Sequence, residues 1–416
     1  MTTTYVGEFR RNWRSLAAAT AGLSAGLSLS AYTNAAMAPE FLAAFGWSRS
    51  EFALTGVITL LTFVFLPGYG RLTDLLGVRR IATIGVIGLP ACWIANAMMS
   101  GPIWQYFAIN VLTIALGVTT TPSVYSRIVA TRFDKSRGFA LAVAISGPPL
   151  LGVIGAPALH AVNAAHGWRM GCLVIAATIA VIGGAALALI PCEDGTLRRP
   201  ARNRRSGNDY RVISRSRVFW ILMAAVLLCN LYHTVTTSQL GVMLGDSARP
   251  GTAVATLVSI FAAAVIVGRF TCGLALDKLS APIVAAVAMG LPGLGCLLIA
   301  SPWDSFALLV VGVCGLGAAW GAEGDVLAYL VARRFSLTIY STVLSILSAA
   351  IGVSSALGAL ILSRTLHVSP SFNGFLAFAG GAALFGGALF LLLGRLPVVV
   401  AADDVTVDES LTSERG

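Results

Sequence analysis

Long apolar runs separated by short polar joins recur along the chain. Twelve such runs can be drawn, at 14–37, 52–72, 80–99, 103–126, 138–160, 169–191, 218–243, 252–275, 281–300, 303–328, 338–362 and 371–394. Each holds about 18 to 27 residues, enough to cross a hydrocarbon layer of about 30 Å as a helix rising about 1.5 Å per residue. The longest polar interruption, residues 192–217, leaves six runs on either side. Two joins share one signature: GRLTDLLGVRR from Gly70 to Arg80, and GLALDK from Gly273 to Lys278. In each, a glycine (Gly70, Gly273) precedes an aspartate (Asp74, Asp277) by four residues, with basic residues beyond. Arg132-Phe133 and Arg334-Phe335 repeat at nearly the same offset. The pattern predicts an all-α membrane protein of twelve transmembrane helices in two pseudo-symmetric halves. The halves are 1–191 and 218–394, joined by a basic linker at 192–217. The tail at 395–416 lacks apolar periodicity and is expected to be disordered.

Composition narrows the class. With 57% hydrophobic and 11% charged residues, the chain lacks the charge, roughly a quarter of all residues, that covers a water-soluble globule. The net charge of +10 would suit a nucleic-acid partner, but its distribution follows membrane topology instead. With the N-terminus inside, nearly every basic residue falls on the cytoplasmic side, including the run from Arg198 to Arg217. Arg49, Arg169, Arg249 and Arg364 lie opposite. The positive-inside rule thus puts both termini in the cytoplasm, and no nucleic-acid partner is expected. The head Met1–Arg14 lacks the pattern of a cleavable signal. Seven cysteines are scattered without a CxxC or His/Cys cluster, so neither a disulfide framework nor a metal site is indicated.

Charge within the apolar runs marks the candidate chemistry, because burying one mid-bilayer costs at least about 2.5–3.5 kcal/mol. Arg269, Glu323 and Asp325 lie roughly 12 to 15 Å inside the cytoplasmic edge by helical rise, near the midplane where carriers hold substrate. Arg127 is shallower and either snorkels or reaches substrate. Two residues apart, Glu323 and Asp325 point about 200° from each other on a helix. Unless the helix unwinds at Gly321 and Gly324, one acid lines a cavity and the other pairs laterally, with Arg269 as the obvious structural partner. Buried carboxylates also serve proton relays. Further polar candidates are Tyr32, Asn34, Thr120, Tyr125, Asn230, His233 and Tyr329, each equally suited to helix–helix hydrogen bonding. At the Gly70–Arg80 loop, Asp74 can meet helix N-termini, or Arg79 and Arg80. The expected gating set is Gly70, Asp74, Gly77, Arg79, Arg80, Gly273, Asp277 and Lys278.

The twelve runs, the central basic loop and GRLTDLLGVRR resemble the major facilitator superfamily. FGWSRSEF (Phe45 to Phe52) and RFDKSRGFALAVAISG (Arg132 to Gly147) are similar to its monocarboxylate and oxalate–formate branch. That resemblance implies a substrate-binding arginine at Arg269, whose fork can hold a carboxylate by two hydrogen bonds. The chain departs from the branch where animal members carry an aspartate, here Val265. It also lacks the lysine of oxalate-type carriers, since residues 338–362 hold no cation. One central arginine favours a monoanion.

The expectation is therefore a monomeric, multi-pass carrier of the bacterial inner membrane. It moves a small organic anion with protons, without cofactor or metal. Arg269, Tyr32, Asn34, Tyr125, His233 and Tyr329 form the substrate set, and Glu323 and Asp325 the proton-coupling set. Two alternatives remain: a proton-driven exporter of organic cations, in which the two acids bind cargo, and a membrane receptor that does not transport. Enzymatic chemistry is not expected, as no nucleophile–base pair or phosphate loop is present.

Overall fold

A computed structural model describes residues 4–47, 58, 60–191, 206–236, 240, 243–244, 251–302, 305–369 and 371–396. It is helical, with no strand among the described residues. The helices are α1 (Tyr5–Ser24), α2 (Leu27–Phe45), α3 (Leu61–Leu76), α4 (Val78–Ala97), α5 (Ile103–Gly117), α6 (Pro122–Arg132), α7 (Arg137–Ile145) and α8 (Gly147–His166). They continue as α9 (Trp168–Leu189), α10 (Ser206–Arg215), α11 (Arg217–Cys229), α12 (Gly251–Lys278), α13 (Ala281–Ile299), α14 (Phe306–Arg334), α15 (Tyr340–Val368) and α16 (Asn373–Leu392). Among the described residues nine helical segments are long and apolar enough to span a membrane. The bent pair Asp209–Arg215 and Arg217–Cys229 makes a tenth if counted as one span.

Four expected spans are interrupted, the fifth only by a turn at Ser146 between α7 and α8. The first breaks at Ala25–Gly26, where Leu27 N–H donates to Thr120 Oγ1 at 2.9 Å. The fourth breaks at a short 3-10 turn, Val118–Thr120, before Pro122 starts α6. The seventh leaves α-helix at Asn230, nearly one repeat after Gly26. Apolar composition carries no mark of such breaks, because the side chains on either side remain apolar. The expected tail falls outside the described residues from 397 onward, as do 192–205 of the expected linker. The rest of that linker is not irregular: 206–215 form α10, which buries Asp209 and Ile213 and exposes Arg211 and Arg215.

The chain divides into two compact units. One comprises 1–135, 143–203 and 337–346; the other comprises 136–142, 204–336 and 347–416. Segments 136–142 and 337–346 each belong to the unit formed mainly by the opposite sequence half. The first unit has a core around Phe41, Leu89, Trp93, Tyr106 and Ile179. In the second unit, Tyr232, Met243, Val313, Leu316 and Phe375 belong to the core.

Within the second unit α12 and α14 lie backbone to backbone. A Cβ on Gly268 would collide with the Ala318 main chain, and one on Gly321 with the Val265 carbonyl. Small residues permit that approach, and it brings Arg269 of α12 against the middle of α14. Gly268→Leu should therefore lower the thermal unfolding midpoint in detergent, by the equivalent of about 1–3 kcal/mol of overpacking. Gly155→Ala, which meets nothing within 4 Å, should not.

Candidate functional site

Helix α14 runs unbroken through Gly321 and Gly324, so Glu323 and Asp325 diverge as their spacing requires. Asp325 turns to α12, where its Oδ2 lies 3.7 Å from Arg269 Nε. The same Nε donates to the Gly321 carbonyl at 2.9 Å. Asp325 is wholly buried, and neither of its oxygens has a hydrogen-bond partner among the described residues. An ion pair in this setting needs both members, since removing one strands the other in a low dielectric. Of the two alternatives left open by the spacing, Asp325 takes the lateral pairing.

Glu323 turns the other way. Its Oε2 lies 3.2 Å from His233 Nε2, and its Oε1 is buried without a hydrogen-bond partner among the described residues. The His233 ring stacks on Trp320 at 4.1 Å and 11°, and Trp320 meets Phe261 edge-on at 6.0 Å. Trp320 was not among the expected site residues. Its signal was the i, i+3 spacing to Glu323, which places both on one helix face. His233 reaches this face because α11 ends at Cys229 and a turn carries the chain past Asn230. The hydroxyl of Tyr232 and Oδ1 of Asn230 are likewise buried without partners among the described residues. The cluster thus holds two carboxyl groups, one guanidinium and one imidazole in the second unit.

Not all expected site residues join it. Tyr329 is buried, and its hydroxyl accepts from Arg333 Nη2 at 3.3 Å, near the end of α14. This is a helix-surface contact at i, i+4, not part of the cluster. Tyr125 belongs to the first unit, fully buried with its ring against Gly22. Asn34 is half-buried in α2, and the side chain of Tyr32 lies outside the described residues.

The repeated aspartates do meet helix N-termini. Asp74 accepts from Ser341 N–H at 3.1 Å, Thr342 N–H at 2.7 Å and Thr342 Oγ1 at 2.6 Å. These belong to the second and third residues of α15. Asp277 accepts from Gly138 N–H at 2.6 Å and Phe139 N–H at 3.0 Å, the second and third residues of α7. The first turn of a helix leaves such donors without intrahelical partners and carries partial positive charge. Gly70 and Gly273 make room: a Cβ on the first would strike Ser345, and one on the second the Gly138 carbonyl. Gly77 joins α3 to α4 at φ 85°, a conformation side chains disfavour.

Arg79, Arg80 and Lys278 are exposed. The cation beside Asp74 is instead Arg127, in a buried ion pair with it. A single chain cannot reveal that partnership, since the two residues are 53 apart in sequence. Arg127 is therefore buried in a pair and does not snorkel.

Three comparisons bear on this arrangement. A family profile described as Major Facilitator Superfamily matches residues 16–359. No curated protein matches the chain. Among solved structures, a single-residue variant of the E. coli fucose:proton symporter FucP superposes with a TM-score of 0.70 at 14% identity. That match covers 92% of this chain and 97% of the symporter. A bacterial homologue of the iron transporter ferroportin, outward-facing and with soaked iron, gives 0.67 at 14% identity, over 92% of this chain and 99% of the homologue. At such identities the likeness concerns the fold.

The buried pair in the first unit gives a direct test. Asp74→Ala should destabilise the protein by about 3–5 kcal/mol, as Arg127 is left without its countercharge. Adding Arg127→Leu should recover part of that loss. Thermal unfolding of the purified single and double variants measures both.

Proposed function

The chain belongs to the Major Facilitator Superfamily, and on that premise we propose that it carries a small organic monoanion together with a proton. Its membership and fold make it a membrane transporter and not an enzyme. The finer reading rests on one observation: the midplane arginine, Arg269, faces a fully buried aspartate, Asp325, at 3.7 Å. In the proton-free state Asp325 supplies the countercharge that Arg269 requires. A proton on Asp325 removes that countercharge, and a substrate carboxylate then replaces it. The proton thus precedes the anion, and the site never holds an unbalanced charge for long. The Glu323–His233 pair on the opposite face of α14 gives a second place where a proton can be held or passed on.

The two aspartate-capped helix starts are the natural gate. While Asp74 and Asp277 hold α15 and α7, segments 337–346 and 136–142 stay tied to the opposite sequence half. Alternating access requires those bonds to be made and broken in each cycle. We further assign both termini to the cytoplasm from the distribution of arginine, with the protein a monomer in the bacterial inner membrane.

One observation favours a different cargo. Glu323 lies beside Trp320 and His233, and an acid among aromatic rings suits an organic cation. Counterflow in proteoliposomes with labelled monocarboxylates and lipophilic cations separates the two readings. Under the anion reading, Arg269→Ala abolishes carboxylate exchange, and retained exchange removes that reading. Asp325→Asn should keep exchange while losing accumulation driven by an imposed pH gradient. Wild-type uptake should rise as the outer medium is acidified, and the asparagine variant should lose this dependence.

A further inference from the structure

The repeat extends further back than the apolar runs. Glu8-Phe9-Arg10 with Arg14, and Asp209-Tyr210-Arg211 with Arg215, match at an offset of 201 residues: acid, aromatic, arginine, and a second arginine four residues on. Both copies are helical and stand at the entrance to the first apolar run of their half. In both, the acid is buried, Glu8 at 6% and Asp209 at 2% exposed, while the arginines face outward. Buried acid and exposed base, at the start of α1 in one copy and on α10 in the other, define an inner and an outer face.

The outer faces have one composition. On the first, Arg10, Arg11 and Arg14 are exposed together with Trp13, whose ring lies 5.7 Å from the Arg14 guanidinium. On the second, Arg211, Arg215 and Arg217 are exposed with Trp220. The Trp220 indole donates to the Ser214 carbonyl at 2.7 Å, fixing it beside the end of α10. The chain bends by 68° between α10 and α11, so α10 departs from the direction of the span it precedes. Arginine with tryptophan at the mouth of a membrane helix matches the headgroup layer: guanidinium for phosphate, indole for the glycerol and upper acyl region.

We propose that these two heads are binding sites for anionic phospholipid, one per half, each taking a phosphodiester headgroup on its arginines. The inner face gives that binding a consequence. Glu8 accepts from Asp134 N–H at 3.3 Å and Lys135 N–H at 3.2 Å, and Asn12 Nδ2 donates to the Arg132 carbonyl at 2.8 Å. Phe9 packs on Phe133 at 5.4 Å between ring centroids. The first head therefore holds the loop that leads directly into α7, the helix whose start Asp277 caps. A lipid that fixes the head also fixes that loop.

The test needs no transport substrate. The full chain in neutral detergent is titrated with phosphatidylglycerol, phosphatidylcholine or inorganic phosphate, reading thermal unfolding and, by native mass spectrometry, retained lipid. Phosphatidylglycerol should bind and raise the unfolding midpoint, and the other two should not. Each arginine changed to glutamine should weaken that binding about fivefold, the effect of one basic residue at an anionic surface. The triple variants Arg10/Arg11/Arg14→Gln and Arg211/Arg215/Arg217→Gln should each lose one retained lipid, and the lysine equivalents should keep it. The proposal is overturned by an undiminished phosphatidylglycerol response when all six are glutamine, by an equal response to phosphatidylcholine, or by inorganic phosphate reproducing the effect.

Discussion

A carboxylate enclosed by hydrocarbon needs a countercharge or converging N–H donors within reach. Asp74 has both: Arg127 beside it and the first turn of α15 in front of it. Asp277 has the first turn of α7. Asp325 has Arg269, and Glu323 has His233. The positions of α7, α12, α14 and α15 follow from these requirements as much as from apolar packing. Hydrophobic association between helices is weak when the surrounding solvent is itself apolar. Where burial no longer discriminates, a few polar contacts and close glycine approaches decide which helix touches which.

The two halves use this rule for different ends. At Asp74 and Asp277 they agree in detail, down to the second and third residues of the helix that each aspartate caps. Such agreement belongs to a framework that both halves share. At the midplane they disagree, because the acids and the arginine of α12 and α14 have no charged counterparts in α3 or α6. The position matching Arg127, 202 residues on, is Tyr329, which holds Arg333 instead. Buried charge is thus distributed unequally between two near-copies.

Most of the architecture was legible in the chain, for a plain reason. A bilayer forces every spanning segment to be helical and apolar, so length and composition stand in for tertiary information. Charge inside those segments was legible for the same reason: Arg269 pairs with Asp325, and Glu323 meets His233 on the other side of α14. The divergence of the two acids also followed from their spacing. What could not be read was partnership across helices: Arg127 with Asp74, and Trp320 with His233. Side-chain reach between helices depends on crossing geometry, which periodicity does not encode. The helix breaks at Gly26 and Asn230 were hidden because apolar side chains continue across them. Helix α10 was hidden because a short amphipathic helix rich in arginine has the composition of a linker.

Helix α10 also changes where one half ends and the other begins. If the repeating unit opens with an acid-aromatic-arginine head, the true connector is confined to the stretch before residue 206, and the second half starts there. Each half then has its own head, its own capping aspartate and its own glycine for close approach, and each aspartate caps a helix that the other sequence half supplies. A severed backbone ahead of α10 leaves two pieces of matching design, whereas a break after it would strip one piece of its head. The molecule is best regarded as two like sequence halves, each lending one short segment to the other.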